Sequence, residues 1–332
     1  MKNKLKALSD LIAGVIAGAP AALVARMDAA YDTMFLAREL TQIESEQYRV
    51  QYPALEFRQH IPIKNSGLNP GAKFFVYRVW DYMGMAKWIS SYADDLPNVA
   101  IRSKEVASTA QAFGNSYQFS AEELMQASMA GLPLEREEAN AAFEFMERFM
   151  DQVAWLGDAA VGMLGFLKHP NVGVTTPAAD GASSATTFAS KTPAQILRDL
   201  HAVSLAMQTR SKKLFTADTL LLPPSVYGFI ATKPVSDLQP LTTVLDVFKA
   251  TDPYIKTVMA GPAYLETADA AGTGPRAVMY RKDPRAMSVY IPLEPRAIPP
   301  QERNLAVIVN IWGKFGGFIL RQPLAIQYID GI

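Results

Sequence analysis

No cysteine occurs among the 332 residues, and that absence excludes disulfides, thiolate nucleophiles and Cys-ligated metals together. Histidine is nearly as scarce. His60, His169 and His201 stand far apart in the sequence and form neither an HxxxH nor an HxH pair, so no metal-ligand spacing is present. A surplus of either charge is missing too, with Lys+Arg 32 balancing Asp+Glu 32. Proteins whose main task is gripping nucleic acid usually carry a basic surplus or stripe. Near-zero charge also weakens the self-repulsion that keeps copies apart.

The usual catalytic signatures are absent as well. There is no GxGxxG or GxxxxGKS/T cradle for a phosphate, no GxSxG elbow and no HExxH. The adjacent pairs Glu122-Glu123 and Asp94-Asp95 make poor acid/base dyads, because neighbouring side chains point apart on a helix or strand. Ser225 follows two prolines and reads as a helix cap rather than a nucleophile. No catalytic, cofactor-binding or metal-binding residue is therefore assigned, and the chain is not expected to be an enzyme. A site assembled from scattered carboxylates is the alternative that motif absence leaves open.

Long apolar runs are few. Lys2, Lys4 and Lys6 precede an uncharged run from Leu11 to Ala25, which imitates a signal peptide, but Asp10, Gly14, Gly18 and Pro20 dilute it. The run is too short and too rich in Ala and Gly for a membrane span. An apolar arm that packs on another surface is the expected reading, continued by a partly helical stretch over 26–50.

What is present is a composition 49% hydrophobic and 19% charged, enough to bury sizeable cores. After a turn-rich loop from Pro62 to Gly71, residues 72–82 (AKFFVYRVWDY) are aromatic and β-branched, as in a strand. Both alternation sets are apolar: Phe74, Val76, Trp80 and Tyr82 on one, Phe75, Tyr77 and Val79 on the other. With a second strand over roughly 98–118 they predict a long β-hairpin with two sticky faces, which water does not tolerate unless both are covered. It is either the middle of its own domain or a feature that reaches a second molecule.

Ser120-Ala-Glu-Glu123 is a capping box. A long amphipathic helix is predicted from Leu134 to Leu156, with Ala139, Ala142, Phe143, Met146, Phe149, Met150, Val153 and Leu156 on one face. Eight acidic residues fall between Glu122 and Asp151 against Arg136 and Arg148. A solvated helix face is the ordinary explanation; a surface that meets basic groups of a neighbour, or repels DNA, is the functional one. A Gly/Ser/Thr/Ala-rich linker over 173–191 leads to a second capping box, Thr192-Pro-Ala-Gln195, and a helix through Arg210. Strand-like TLLLP (219–223), a short helix and further strands follow. The block 305–330 reads as a hairpin about Gly316-Gly317. The pattern is mixed α+β with no βαβ repeat.

Taken in order, YRVQYPALEFRQHIPI (48–63), the aromatic hairpin, SAEELMQASM, LGDAAVGMLGFLKHPNV (156–172), TLLLPPSVYGF (219–229) and GGFILRQPLAIQYIDGI (316–332) resemble the major capsid proteins of tailed bacteriophages, which share the Hong Kong 97-type fold with encapsulin shells. The resemblance covers the chain from Tyr31 onward. It implies an N-terminal arm (1–58), an extended β-hairpin loop (59–113), a peripheral domain (114–172 and 300–332) with spine helix 134–156, and an axial domain (173–299). It implies an icosahedral shell built from pentamers and hexamers around double-stranded DNA held without sequence-specific contacts. Portal and scaffold proteins, and in some cases a decoration protein, would be partners; assembly would take place in the bacterial cytoplasm, with no membrane and no cofactor. The inter-subunit contacts expected are Phe74, Tyr77, Trp80 and Tyr82 with Arg102 and Lys104 on the hairpin, and Glu137 and Glu144 on the spine. An encapsulin-like nanocompartment is the alternative with the same fold.

Overall fold

The computed structural model describes residues 53–89, 96–131, 133–236 and 239–332. The apolar run at 11–25 and the helix-like stretch at 26–50 lie outside the described residues.

The chain runs through a one-turn helix α1 (Phe57–His60), β1 (Ile63–Lys64), β2 (Phe74–Met83), β3 (Ala100–Thr109) and β4 (Gln111–Ser120). Helices α2 (Ala121–Ala130) and α3 (Leu134–Leu156) follow, then two short strands, β5 (Gly157–Asp158) and β6 (Met163–Leu164), and β7 (Gly173–Thr175). Next come α4 (Pro193–Arg210), β8 (Thr219–Leu222), α5 (Pro224–Thr232), β9 (Pro234–Ser236), β10 (Gln239–Thr243), α6 (Val244–Thr251) and β11 (Thr257–Ala260). The last strands are β12 (Arg276–Tyr280), β13 (Met287–Tyr290), β14 (Leu293–Ala297), β15 (Gln301–Arg303), β16 (Ala306–Phe315), β17 (Gly317–Leu320) and β18 (Ile326–Asp330).

Local chemistry sets the helix ends where the sequence placed them. Ser120 Oγ accepts from the Glu123 amide while the Glu123 carboxylate accepts from the Ser120 amide, closing the box that opens α2. Thr192 and Gln195 do the same for α4, with Pro193 in the first turn. A third box, Thr243 with Asp246, opens α6. The spine α3 occupies 23 residues, a rod of about 35 Å. It stops at Gly157 (φ 79°), where a Cβ would lie 2.5 Å from Gly165 N and Met163 O. Two backbones cross there with no room for a side chain.

Two cores are divided by one sheet, ordered β11-β8-β12-β18-β7. Its strands β8 and β12 are buried along their whole length, as continuous apolar runs covered on both faces must be. Leu221, Val278, Tyr280, Ile326 and Tyr328 face the core that holds Met150, Trp155, Phe166 and Phe318. Leu220, Leu222, Ala277, Met279 and Ile329 face the core built on α4, α5 and α6. The final strand therefore pairs with strands from 173–280, while β16 pairs with β4.

Three expectations need correction. The stretch 98–118 is not one return strand. It breaks at buried Ala110, whose amide donates to Lys73 O. Only β3 pairs with β2, and β4 turns away to pair with β16 from Gln111 to Ser120. The block 305–330 is not a hairpin either. Gly317 (φ 70°) turns the chain, and β16, β17 and β18 enter three different sheets. Ser225 does not cap α5: it lies inside the helix, and its amide and hydroxyl both donate to Glu266. A carboxylate from a distant segment supplies the cap, because Pro223 and Pro224 have no side-chain acceptor.

Candidate assembly surfaces

The β2–β3 hairpin pairs without a bulge from Phe74↔Thr109 to Met83↔Ala100, about 33 Å of two-stranded ribbon. Opposed residues share a face, so Phe74, Val76, Trp80 and Tyr82 join Ala107 and Ile101 on one side. Every large apolar member of that face is more than half exposed, with Trp80 at 56% and Tyr82 at 73%. In its middle Arg78 and Glu105 pair across the strands at 2.7 Å. Towards the tip Met85, Trp88, Ile89, Leu96, Val99 and Ile101 are exposed as well. Apolar surface of this extent is unusual on a free monomer and marks an interaction site.

The other face explains how the ribbon is held. Phe75 meets Tyr290 edge-on with centroids 5.7 Å apart. Tyr77 lies under the Arg321 guanidinium, and its hydroxyl donates to Leu320 O at 3.4 Å. Arg321 in turn donates to Tyr290 Oη and Ser288 Oγ. Burial and the neighbouring Tyr290 push the Tyr77 phenol up from its ordinary value, and the Arg321 charge pulls it back. A cavity of about 190 Å³ separates the ribbon's base from residues 162–164, His169 and β17. Further out, Arg102 and Lys104 on this same face are exposed.

The four hairpin aromatics named from sequence thus divide into two roles. Phe74, Trp80 and Tyr82 present themselves outward, whereas Tyr77 is half-buried against its own chain. The spine residues divide too. Glu144 is exposed and paired with Arg148 one turn on; Glu137 is half-buried.

The acidic face of the spine is not simply solvated. Asp151 is buried and accepts from the amides of Glu56 (3.2 Å) and Phe57 (3.0 Å) and from Trp155 Nε1 (3.2 Å). Burial pushes its carboxyl up, and those three donors partly offset the effect. Glu147 shares Arg58 with Glu294 in a three-member network, at 2.9 Å to each. Charges read as a solvated or neighbour-facing surface are therefore spent in part on docking the segment before the hairpin onto α3. Residues that sequence reasoning missed, Asn115 and Glu138, line a groove between β4 and α3 together with Tyr117, Ala141, Ala142 and Phe145. The signal was available in principle, since 138, 141, 142 and 145 recur at helical spacing, but the strand opposite them was not assigned.

Among the described residues no group of His, Cys, Asp or Glu is arranged to hold a metal, and no helix is long and apolar enough to cross a membrane. Residues 84–332 match the major capsid protein family. No curated protein matches the sequence. Among solved structures, the capsid of Myoviridae phage XM1 superposes with a TM-score of 0.77 at 18% identity, over 90% of this chain and 99% of that one. The capsid of the native GTA particle gives 0.61 at 14% identity, over 87% and 94%. A chain from Mycobacterium phage Bobi gives 0.57 at 13%, over 87% and 94%. An apolar ribbon that the monomer leaves uncovered, a long spine and a fold shared with these capsids agree with one another, and the chain belongs to the major capsid protein family: it is a coat subunit of the Hong Kong 97-type fold, built to associate with copies of itself in a shell.

Proposed function

We propose that the outward face of the β2–β3 hairpin lies across an adjacent subunit and supplies the main contact of the shell. The observation that carries this is the run Phe74, Trp80, Tyr82 and Ile101, left exposed on a ribbon whose opposite face is anchored at its base. Large interwoven apolar contacts of this kind are what obligate assemblies use. By this reading 59–113 is the extended loop, 114–172 with 300–332 the peripheral domain and 173–299 the axial domain, with β18 passing from the peripheral segment into the sheet of the axial one. Axial domains meet around local symmetry axes to give pentamers and hexamers. Arg102, Lys104, Glu137 and Glu144 contribute polar contacts at the rim.

The shell encloses double-stranded DNA without reading its sequence, and the balance of 32 basic and 32 acidic residues supports a container that does not grip the DNA electrostatically. Portal and scaffold proteins complete the particle, a decoration protein adds to it in some forms, and assembly takes place in the cytoplasm of the bacterial host. The chain has no catalytic role in this reading.

Negative-stain electron microscopy with sedimentation velocity, on the chain expressed alone and with the scaffold of its own particle, tests the proposal. Closed shells, or pentamers and hexamers, are expected. A monomer that stays monomeric at high concentration in both preparations would overturn it. The nucleic acid content of purified particles separates a genome container from a protein-loaded compartment.

A further inference from the structure

The groove between β4 and α3 has a mixed character. Its volume is about 400 Å³, and Ala141, Ala142, Phe145 and the ring of Tyr117 give it an apolar lining. The odd-numbered residues of β4 face the helix, where Tyr117 and Phe113 pack with Ala142, Met146 and Ile311. Two acceptors sit in this lining with nothing to accept from. The atoms Glu138 Oε2 and Asn115 Oδ1 are both buried, on side chains that are otherwise half-buried, and neither atom has a hydrogen-bond partner among the described residues. The Asn115 amide cannot simply be turned over, because its Nδ2 donates to Ala142 O at 2.8 Å, which fixes Oδ1 as the acceptor. Burial, with the negative charge of Glu123 nearby, pushes the Glu138 carboxyl up; a cation seated beside it would reverse that.

Unpartnered buried acceptors are rare and costly in native proteins. Two of them beside an apolar trough fit a long side chain with an aliphatic stem and a cationic head. A metal ion fits poorly, since no cluster of three ligating side chains occurs among the described residues. Resting on the reading that hairpins contact adjacent copies, we propose that this groove receives a basic side chain from a second copy of the chain, presented by the hairpin strand that carries Arg102 and Lys104. Both are exposed, neither makes an ion pair with another described residue, and they stand two apart on the face of β3 opposite Trp80 and Tyr82, beyond the part anchored on its own chain, so that in this reading the ribbon meets neighbours with both faces. The spine supplies the complementary charge through Glu138 in the groove and Glu135 near Tyr117. Electrostatic matching of this type sets register between subunits more than it sets overall affinity.

The experiment compares the concentration at which shells first form for the wild-type chain, Glu138→Gln, the pair Arg102→Ala with Lys104→Ala, and all three substitutions combined. Subunit folding is checked in each case by thermal unfolding below that concentration. A loss of one charge-assisted contact raises the threshold roughly tenfold, in the groove variant and in the hairpin variant alike. The combined variant is expected to be no worse than the hairpin variant alone, because the two act on one contact. Ala141→Leu narrows the groove without touching either acceptor and is expected to raise the threshold as well. Additive losses, or an unchanged threshold in folded Glu138→Gln, would overturn the assignment. Trp80→Ala separates this from the broader reading. If it blocks assembly while Glu138→Gln does not, only the groove assignment falls; if neither matters, the hairpin reading falls.

Discussion

Truncating Trp80 to alanine is expected to cost assembly far more than it costs the subunit. A tryptophan side chain offers about 250 Å², and Trp80 is 56% exposed, leaving about 140 Å² for a neighbour to cover. At about 25 cal/mol per Å² this is worth about 3.5 kcal/mol, and about 3 kcal/mol once the retained Cβ is allowed for. An association constant should therefore fall by about a hundredfold. Within the monomer Trp80 stands opposite Ser103 on its own ribbon. A cross-strand pair of this sort contributes about 0.2–1 kcal/mol, which moves the melting temperature by only a few degrees, roughly 3 °C or less. Tyr82→Ala, at 73% exposure, should behave alike. Sedimentation velocity across a concentration series reads the first quantity and thermal unfolding of the dilute subunit reads the second. A melting temperature that drops by about 8 °C or more, with assembly falling only in proportion, would show that the ribbon is ordinary core and refute the reasoning.

Other outcomes test the fold that carries the ribbon. Asp151→Ala strands the buried donors of Phe57 and Trp155 and should cost about 2–4 kcal/mol in urea unfolding; Asp151→Asn, which keeps an acceptor, should cost less, and equal losses would show that the carboxylate does not hold this segment. Gly165→Ala would drive a Cβ into the backbone of Trp155, Leu156 and Gly157 and is expected to destabilise by about 3 kcal/mol or more, whereas Gly228→Ala, in α5 with nothing near its added methyl, should gain about 0.5–1 kcal/mol; soluble, stable Gly165→Ala would contradict the described crossing. Burial lowers the imidazole pKa of both His60 and His169. The unfolded chain then binds more protons, so stability is complete above the ordinary value of 6.5 and falls as pH drops below it, by at most about 1.4 kcal/mol per pH unit for each ring. Urea midpoints measured between pH 7.5 and 5.5 should show the decline, and a flat profile would refute it; below that window the raised carboxyl of Asp151 works in the opposite direction.

Much of the helical frame was legible because its signals are local. Ser120 and Glu123, or Thr192 and Gln195, are three residues apart, and a capping box needs nothing from elsewhere in the chain. The spine's limits followed from Pro133 before it and Gly157 after it. The hairpin's first strand was legible for a different reason, its density of aromatic and β-branched residues on both faces. Less could be read of where strands go. Nothing near Gln111–Ser120 indicates that its partner is Ala306–Phe315, almost two hundred residues away, and an apolar strand looks the same whichever neighbour it has. Glu138 and Asn115 were invisible as a pair for that reason: their groove exists only once β4 lies along the spine.

The sequence by itself determined the elements with local codes, the exclusion of cysteine and motif-based chemistry, and the presence of a two-sided apolar ribbon that needs covering. Only the tertiary structure decided which face of that ribbon is spent on its own chain and which remains outward. It also decided that the acidic run on the spine divides among a buried acceptor, an arginine network and an open groove. The physical reason is that capping and propensity act over three or four residues, whereas burial and pairing are properties of a place in space that residues far apart in sequence build together.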